Sequence, residues 1–347
     1  MLITVYGAGA IGGITGAALA GAGHDVLLVD SAVPHVDAIN VTGLTVERDG
    51  ATTTTRVRAV TPAGLGRDLE LVLLAVKSQH TRDALSHLAP RLAATGTIVS
   101  LQNGLSEEAI AHAVGTERTV GCLVNWAADW VAPGRIAHGG HGAFVLGELD
   151  GRITPRVREL AELLGAVEST RVTDNILGYK WAKLIYASVL FATAVVDAHV
   201  YEVVERSPDV QQALGALVGE GLAVADKAGV RIDAFDEFDP AWYRAALGGD
   251  EAALRHAMAT AAAHYRGNTK TKTGVWRDLA VRRRKTEVDG LLGVLVEKGE
   301  GLGVAMPVTR RLIEIIRDLE EGRRQMDWAN LDPLVALVGQ RPRRDGD

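Results

Sequence analysis

The chain opens with Met1-Leu-Ile-Thr-Val-Tyr-Gly-Ala-Gly-Ala-Ile-Gly12, and this stretch decides the fold. The apolar, β-branched run at residues 2–6 predicts a buried parallel strand, and small residues predict a helix over 10–20. A strand, a glycine turn and a helix in this order form the context of a dinucleotide-binding fingerprint. The pyrophosphate would lie at the helix N-terminus, where unpaired N–H groups and the helix dipole favour negative charge. The whole turn is therefore predicted to bind the cofactor: Gly7, Ala8, Gly9, Ala10, Ile11 and Gly12.

Each glycine has its own physical purpose in such a turn. Gly7 permits the tight turn, Gly9 lets the backbone approach the pyrophosphate, and Gly12 lets helix and strand pack closely. A second predicted strand, residues 25–29, ends at Asp30, about 20 residues after the glycines, where an acid binds the ribose 2′-hydroxyl. A carboxylate there repels a 2′-phosphate, so Asp30 favours NADH over NADPH. The alternative is an ordinary βαβ unit in which Asp30 is a solvated strand end.

Composition narrows the class of protein. A chain of 347 residues is long for one core and predicts two domains. Its net charge of −6 argues against nucleic acid as a partner. Cys122 is its one cysteine, which excludes an intrachain disulfide and fits a reducing compartment, so we expect a cytoplasmic protein. The sequence shows no basic leader and no apolar run of about 18 residues, so we expect no signal peptide and no membrane span.

Polar residues follow two more predicted strands. The apolar runs at 69–76 and 97–101 end at Lys77 and at Gln102-Asn103-Gly104. In a doubly wound sheet ligands bind outside the carboxyl ends of the strands, so Lys77 and Asn103 are predicted to share an edge with the glycine turn. A solvated loop lysine and an Asn-Gly turn residue are the alternatives.

Other segments of the first half predict structure and no chemistry. Residues 43–59 predict a β-hairpin with an Asp-Gly turn, and the stretch around Pro34 is typical of a loop. His138 and His141 flank a glycine pair and are interpreted as turn or surface histidines. Because no further ligand appears at a suitable spacing, we expect no metal.

The pattern changes from mixed strands and helices to helices near residue 172. We therefore predict an α/β Rossmann-type, doubly wound domain over residues 1–172 and an all-helical domain over 173–335. The charged stretch 336–347 is expected to be a disordered tail.

Two segments of the helical half carry candidate catalytic groups. A predicted helix from residue 176 has lysines at 180 and 183, and Ala187 and Phe191 share the face of Lys183. A lysine in apolar surroundings can have a pKa near neutrality and donate a proton, but the pattern alone favours a lysine whose charged end reaches solvent. Glu287 and Asp289 follow Thr286 at another predicted helix start, where capping explains both acids without catalysis.

Five motifs occur together in one order: Gly7–Gly12, Ala75-Val-Lys77, Leu101-Gln-Asn103-Gly104, Trp181-Ala-Lys183-Leu and Lys285-Thr-Glu287-Val-Asp289. Over essentially its whole length the chain resembles the ketopantoate reductase (2-dehydropantoate 2-reductase) family. The resemblance implies a Rossmann domain followed by a helical domain. It implies Lys183 as the general acid on the ketone oxygen and Glu287 as the residue that binds and orients the substrate. It also implies Asn103 beside substrate and nicotinamide, and Lys77 near both.

The sequence departs from the family pattern at positions that contact substrate. Family members commonly carry asparagines one and two helical turns after the lysine, where this chain has Ala187 and Phe191. A serine that contacts the substrate carboxylate falls near Thr273, which could replace it, and NADPH-using members tend to have a basic residue where Asp30-Ser31 stand. Loss of hydroxyl-binding groups should change specificity.

The resemblance implies NAD(P)H-dependent reduction of a 2-oxo acid to the 2-hydroxy acid. The expected reaction is 2-dehydropantoate to pantoate, in pantothenate biosynthesis, or that of a close analogue. Two alternatives remain open at this point: a reductase of a more apolar ketone or imine on the same scaffold, and a non-catalytic dinucleotide sensor. The resemblance and the apolar helical domain suggest a homodimer.

Overall fold

The computed structural model describes residues 1–267 and 270–339, in two compact units. The first unit comprises Met1–Lys180 and the second begins at Trp181. The first extends past residue 172 because the start of helix α6 (Ile176–Thr193) packs on the sheet, where Ile176 is buried with Leu123 and Val145. Of the expected tail, residues 336–339 belong to the last helix, and residues 340–347 lie outside the described residues.

The first unit is built on one ten-stranded sheet in the order β4-β3-β9-β8-β7-β6-β1-β2-β5, with β10 paired to β9. Its strands are β1 Ile3–Tyr6, β2 Val26–Val29, β3 Leu44–Arg48, β4 Ala51–Thr55, β5 Arg58–Val60, β6 Leu69–Leu74, β7 Leu92–Ser100, β8 Thr119–Ala132, β9 Arg135–Glu148 and β10 Ser169–Val172. The run from β8 through β7, β6, β1 and β2 to β5 is parallel throughout. The pairs β3–β4 and β8–β9 are antiparallel.

The sheet is buried on both faces, which explains its continuous apolar strands. Alternate residues of one strand enter different hydrophobic clusters: Leu71 and Leu73 lie in one, Val72 and Leu74 in the other. The helices that cover the faces include α1 Ala10–Gly21, α2 Val33–Thr42, α3 Thr81–Leu88, α4 Glu107–Val114 and α5 Pro155–Leu164. The predicted α/β Rossmann-type class is confirmed.

Local predictions in the first unit had mixed outcomes. The hairpin is confirmed as β3 and β4, whose turn places Asp49 and Gly50 at φ values of 51° and 76°. Beyond that hairpin, β5 is a separate strand parallel to β2. The predicted loop around Pro34 is wrong: the residue lies in the first turn of α2, where the missing N–H costs no hydrogen bond.

The second unit is helical, as predicted. After α6 it contains α7 Val200–Val204, α8 Pro208–Lys227, α9 Pro240–Leu247, α10 Glu251–Gly267, α11 Gly274–Ala280, a π-helical turn Asp289–Gly293, α12 Val294–Gly301, α13 Pro307–Glu320 and α14 Asp332–Gly339. The buried Glu220 of α8 accepts hydrogen bonds from the N–H groups of Val308 and Thr309, at 3.0 and 2.9 Å, and so caps α13. Across the described residues, each helix is too short or too polar to cross a bilayer.

Candidate active site

The glycine turn brings β1 and α1 into very close contact. Gly7 has φ = +101°, and a Cβ there would lie 2.8 Å from the Val76 nitrogen. A Cβ on Gly12 would lie 2.0 Å from the Gly7 carbonyl oxygen and 2.9 Å from the Ala75 Cβ. Both positions therefore require glycine, for the turn and for helix packing respectively.

The space beside Gly9 is open, in contrast to the crowded surroundings of Gly7 and Gly12, so the ligand side of the turn is expected at Gly9. It is the N-cap of α1, and a Cβ added there would meet nothing within 4 Å among the described residues. Its neighbours Ala10 and Ile11 open the helix, whose first turn contains no acidic residue. Open space in front of unpaired N–H groups and a positive dipole end suits a pyrophosphate. The residues present fit a dinucleotide cofactor.

Asp30 follows the last residue of β2 and lies on the same edge of the sheet. Its amide donates to the Val60 carbonyl at 3.1 Å, and its Oδ1 accepts a hydrogen bond from the Ala32 amide at 2.9 Å. The Asp30 side chain is thereby fixed at the end of the second strand, while it remains half-buried.

Lys77 and Asn103 stand at the carboxyl ends of β6 and β7, on the other side of the glycine turn. The strand order β7-β6-β1-β2 places Asn103, Lys77, the glycine turn and Asp30 along one edge in that sequence. Asn103 is exposed and Lys77 is half-buried. The edge predicted from strand ends is thus present in the first unit.

A buried ion pair beneath this edge was not foreseen. Lys180, at the end of the first unit, is 2% exposed, and its Nζ lies 2.8 Å from Oε1 of Glu107, whose side chain is 1% exposed. The same ammonium donates to the backbone carbonyl of Gln102 and, at 3.4 Å, to that of Cys122. The sequence offers no local signal for the pair, because its members are 73 positions apart in the chain.

Helix α6 keeps one face partly open in the second unit. Lys183, Ala187 and Leu190 are half-buried and follow at the spacing of one helical stripe. Phe191 is 2% exposed and belongs to the core. Of Ala187 and Phe191, only Ala187 therefore lies on the partly open stripe.

The remaining candidates of the second unit stand at helix starts. Thr273 is the N-cap of α11, and its Oγ1 accepts a hydrogen bond from the Trp276 amide at 3.1 Å. Glu287 is half-buried just before the π-helical turn, and Asp289 pairs with Arg317 at 2.6 Å. Burial lowers the pKa of Lys270 to about 8, so a lysine of reduced basicity lies in the same segment as Thr273.

The two histidines of β9 form a cluster away from this edge. The His138 side chain is 1% exposed, stacks on Trp126 and lies 2.8 Å from Glu168 Oε1, so its interpretation as a turn or surface residue is wrong. Glu168 comes from the segment before β10, which pairs with β9, and burial lowers the pKa of His138. Glu168, His138 and His141 place ligand atoms within 4.8 Å of one another. The Arg48 guanidinium, 2.7 Å from Glu168 and 3.1 Å from His141, already supplies the positive charge there.

A mostly parallel sheet with a glycine turn, an open helix N-terminus and polar residues on one edge is the arrangement of a Rossmann-type, dinucleotide-dependent oxidoreductase. The family model described as ketopantoate reductase PanE/ApbA matches residues 3–151, and the model of its C-terminal part matches residues 175–320. The chain belongs to the ketopantoate reductase family.

Individual relatives agree with this assignment. The chain is 30% identical over 323 residues to a 2-dehydropantoate 2-reductase of Halobacterium salinarum, covering 91% of this chain and 98% of that one. Among solved structures, a PanE/ApbA family ketopantoate reductase from Ralstonia eutropha matches with 28% identity and a TM-score of 0.76, over 93% and 99% of the two chains. D-mandelate dehydrogenase, solved with NADH and anilino(oxo)acetate, shares the fold at 22% identity and a TM-score of 0.77, over 93% and 99%.

Proposed function

We propose that the protein reduces a 2-oxo acid to the 2-hydroxy acid with NAD(P)H, the substrate being 2-dehydropantoate or a close analogue. With 2-dehydropantoate the product is pantoate, in pantothenate biosynthesis. The observation that carries the proposal is the open helix N-terminus at Gly9 on the same edge as Lys77 and Asn103. Relatives named 2-dehydropantoate 2-reductase support the same substrate.

The chain's own residues orient the substrate and move the proton. When bound, the nicotinamide supplies the hydride to the carbonyl carbon. The Lys183 ammonium donates a proton to the carbonyl oxygen as the alkoxide develops, and it recovers that proton from solvent. The substrate is held in a reactive geometry by Glu287, Asn103 and Lys77. The Thr273 hydroxyl donates a hydrogen bond to the substrate carboxylate.

Asp30 sets the cofactor preference. Its fixed carboxylate accepts a hydrogen bond from a ribose 2′-hydroxyl and repels a 2′-phosphate, so NADH is the preferred cofactor. We expect kcat/KM to be higher with NADH than with NADPH. Replacement of Asp30 by asparagine removes the charge and keeps the shape of the side chain. The ratio of kcat/KM with NADH to kcat/KM with NADPH should therefore fall in this variant.

A more apolar ketone or an imine is the second candidate substrate. The observation that favours it is the half-buried stripe of Ala187 and Leu190 after Lys183, which offers no hydrogen bond to substrate hydroxyls. Because Phe191 is 2% exposed, it would act by shaping that stripe from behind, as part of the core.

Initial rates with both cofactors and a panel of 2-oxo acids test the proposal. The panel contains 2-dehydropantoate, branched-chain and aromatic 2-oxo acids, and an imine. Lys183→Met keeps the length of the side chain and should lower kcat by about 10²- to 10⁴-fold while NADH binding is retained. Unchanged turnover in that variant contradicts the role of Lys183. Tight NADH binding by the wild type without turnover on any substrate favours a dinucleotide sensor.

The oligomeric state and the cellular compartment of the enzyme are tested separately from its activity. We propose a cytoplasmic homodimer, supported by the single, buried Cys122 and by the apolar helical unit. Analytical ultracentrifugation tests the dimer, and fractionation of the source cells tests the compartment.

A further inference from the structure

The Lys180–Glu107 pair is an expensive arrangement for a protein core. Both side chains are 1% exposed, and burial of two charges is repaid only by close geometry and further hydrogen bonds. Glu107 Oε2 is buried without a hydrogen-bond partner among the described residues. Within that part of the chain, the Lys180 ammonium is therefore the group that offsets the buried negative charge of Glu107. In other proteins, replacement of a buried ion pair by well-packed apolar residues of similar volume is often neutral or stabilising. The charges therefore point to a purpose besides stability.

That purpose is indicated by what the ammonium contacts. Its hydrogen bond to the Gln102 carbonyl fixes the peptide group that joins Gln102 to Asn103. Asn103 itself is exposed, and Gly104 follows with φ = +78°. The backbone of the loop is held from its buried side.

The Gln102 side chain extends the same connection to the neighbouring loop. It is 4% exposed, and its Nε2 donates to the Val76 carbonyl at 2.9 Å and to Thr81 Oγ1 at 2.8 Å. Val76 precedes Lys77, and the Lys77 carbonyl accepts a hydrogen bond from the His80 amide at 2.8 Å. Gln102 thus connects the loops that carry Lys77 and Asn103, and Lys180 anchors Gln102.

We propose that Lys180, held by Glu107, is a positioning residue that fixes the Gln102–Gly104 loop so that Asn103 is correctly placed beside substrate and nicotinamide. The inference rests on the proposed function, because Asn103 matters for rate only if the protein is a reductase. Lys180 is three residues from Lys183 on α6, but its role is different: it bonds to protein groups and transfers no proton to the substrate.

The experiment compares four proteins: wild type, Lys180→Met, Lys180→Met with Glu107→Gln, and the exposed-lysine control Lys227→Met. Lys180→Met leaves a buried unpaired carboxylate and should lower the melting temperature; the double variant removes the charge and should recover most of that loss. Both should lose about 10- to 100-fold in kcat with the best 2-oxo acid, because Asn103 is no longer fixed, while KM for the cofactor changes little. Hydrogen exchange of residues 102–106 should be faster in both, and Lys227→Met should match wild type in every measurement.

Recovery of kcat together with melting temperature in the double variant would overturn the inference, since the pair would then serve stability alone. Wild-type exchange rates in the loop of the double variant would overturn it as well. A wild-type protein without turnover on any 2-oxo acid defeats the proposed function, and the exchange rates then decide on their own whether Lys180 holds the loop.

Discussion

Substitution of Gly12 by alanine tests whether close contact between α1 and β1 determines both stability and cofactor binding. The added Cβ would lie 2.0 Å from the Gly7 carbonyl oxygen and 3.1 Å from the Val5 Cγ1. A backbone oxygen cannot rotate away as a flexible side chain can, so the helix must move by about 1 Å to remove the clash. Overpacking of this kind costs about 2 kcal/mol, which for a unit of this size lowers the melting temperature by about 4–8 °C.

Gly9→Ala is the matched control, because it adds the same methyl group three residues away. Nothing described lies within 4 Å of its Cβ, and Gly9 has φ = −66°, which alanine adopts without strain. Alanine is a poorer N-cap than glycine, so we expect a loss of about 0.5–1 kcal/mol, smaller than that of Gly12→Ala. NADH affinity should nevertheless fall by at least about tenfold, because the methyl group occupies the space of the pyrophosphate.

Thermal unfolding followed by circular dichroism and NADH titration followed by fluorescence give both quantities. An unchanged melting temperature in Gly12→Ala would refute the close contact. Wild-type NADH affinity in Gly9→Ala would refute the location of the phosphate site, whatever the stability of the variant.

Three further predictions concern the second unit. Ala187→Asn restores a hydrogen-bonding group on the open face of α6, so the kcat/KM ratio of 2-dehydropantoate to a branched-chain 2-oxo acid should rise about tenfold; an unchanged ratio places this face away from the substrate. Glu220→Ala removes the carboxylate that caps α13, including its 2.8 Å bond from Thr309 Oγ1, and should lower the free energy of unfolding by about 3 kcal/mol in a urea titration. Burial raises the pKa of Glu237, although His264 opposes the shift, so the stability that its protonated form contributes is present at acid pH and lost as the pH rises through the folded-state value. Glu237→Gln, neutral throughout, should therefore melt higher than wild type at pH 8 and equally at pH 4; a gain at both pH values would contradict a titrating carboxyl.

The parts of the fold that sequence predicted are those encoded locally. The strand, turn and helix around Gly7 lie within some twenty residues, and the Asp49-Gly50 turn specifies its hairpin directly. The sequence does not decide the structure at Pro34, because proline favours both loops and first helical turns; Pro34 lies in the first turn of α2.

The parts that sequence did not predict depend on contacts between distant segments. Lys180 and Gln102 are 78 positions apart, and His138 and Glu168 are 30 apart, so periodicity within a window cannot pair them. Of the candidate site, the edge with Lys77 and Asn103 followed from the rule for strand ends, whereas the groups that hold this edge in place required the tertiary structure.

Cys122 gives the first unit a natural reporter. It is the one cysteine of the sequence, it is 0% exposed, and it lies on β8, an interior strand between β9 and β7. A thiol reagent therefore reacts only when the sheet opens, and its labelling rate measures that opening without an introduced probe. The same measurement, made with and without NADH, would report how strongly the nucleotide protects the sheet against local unfolding.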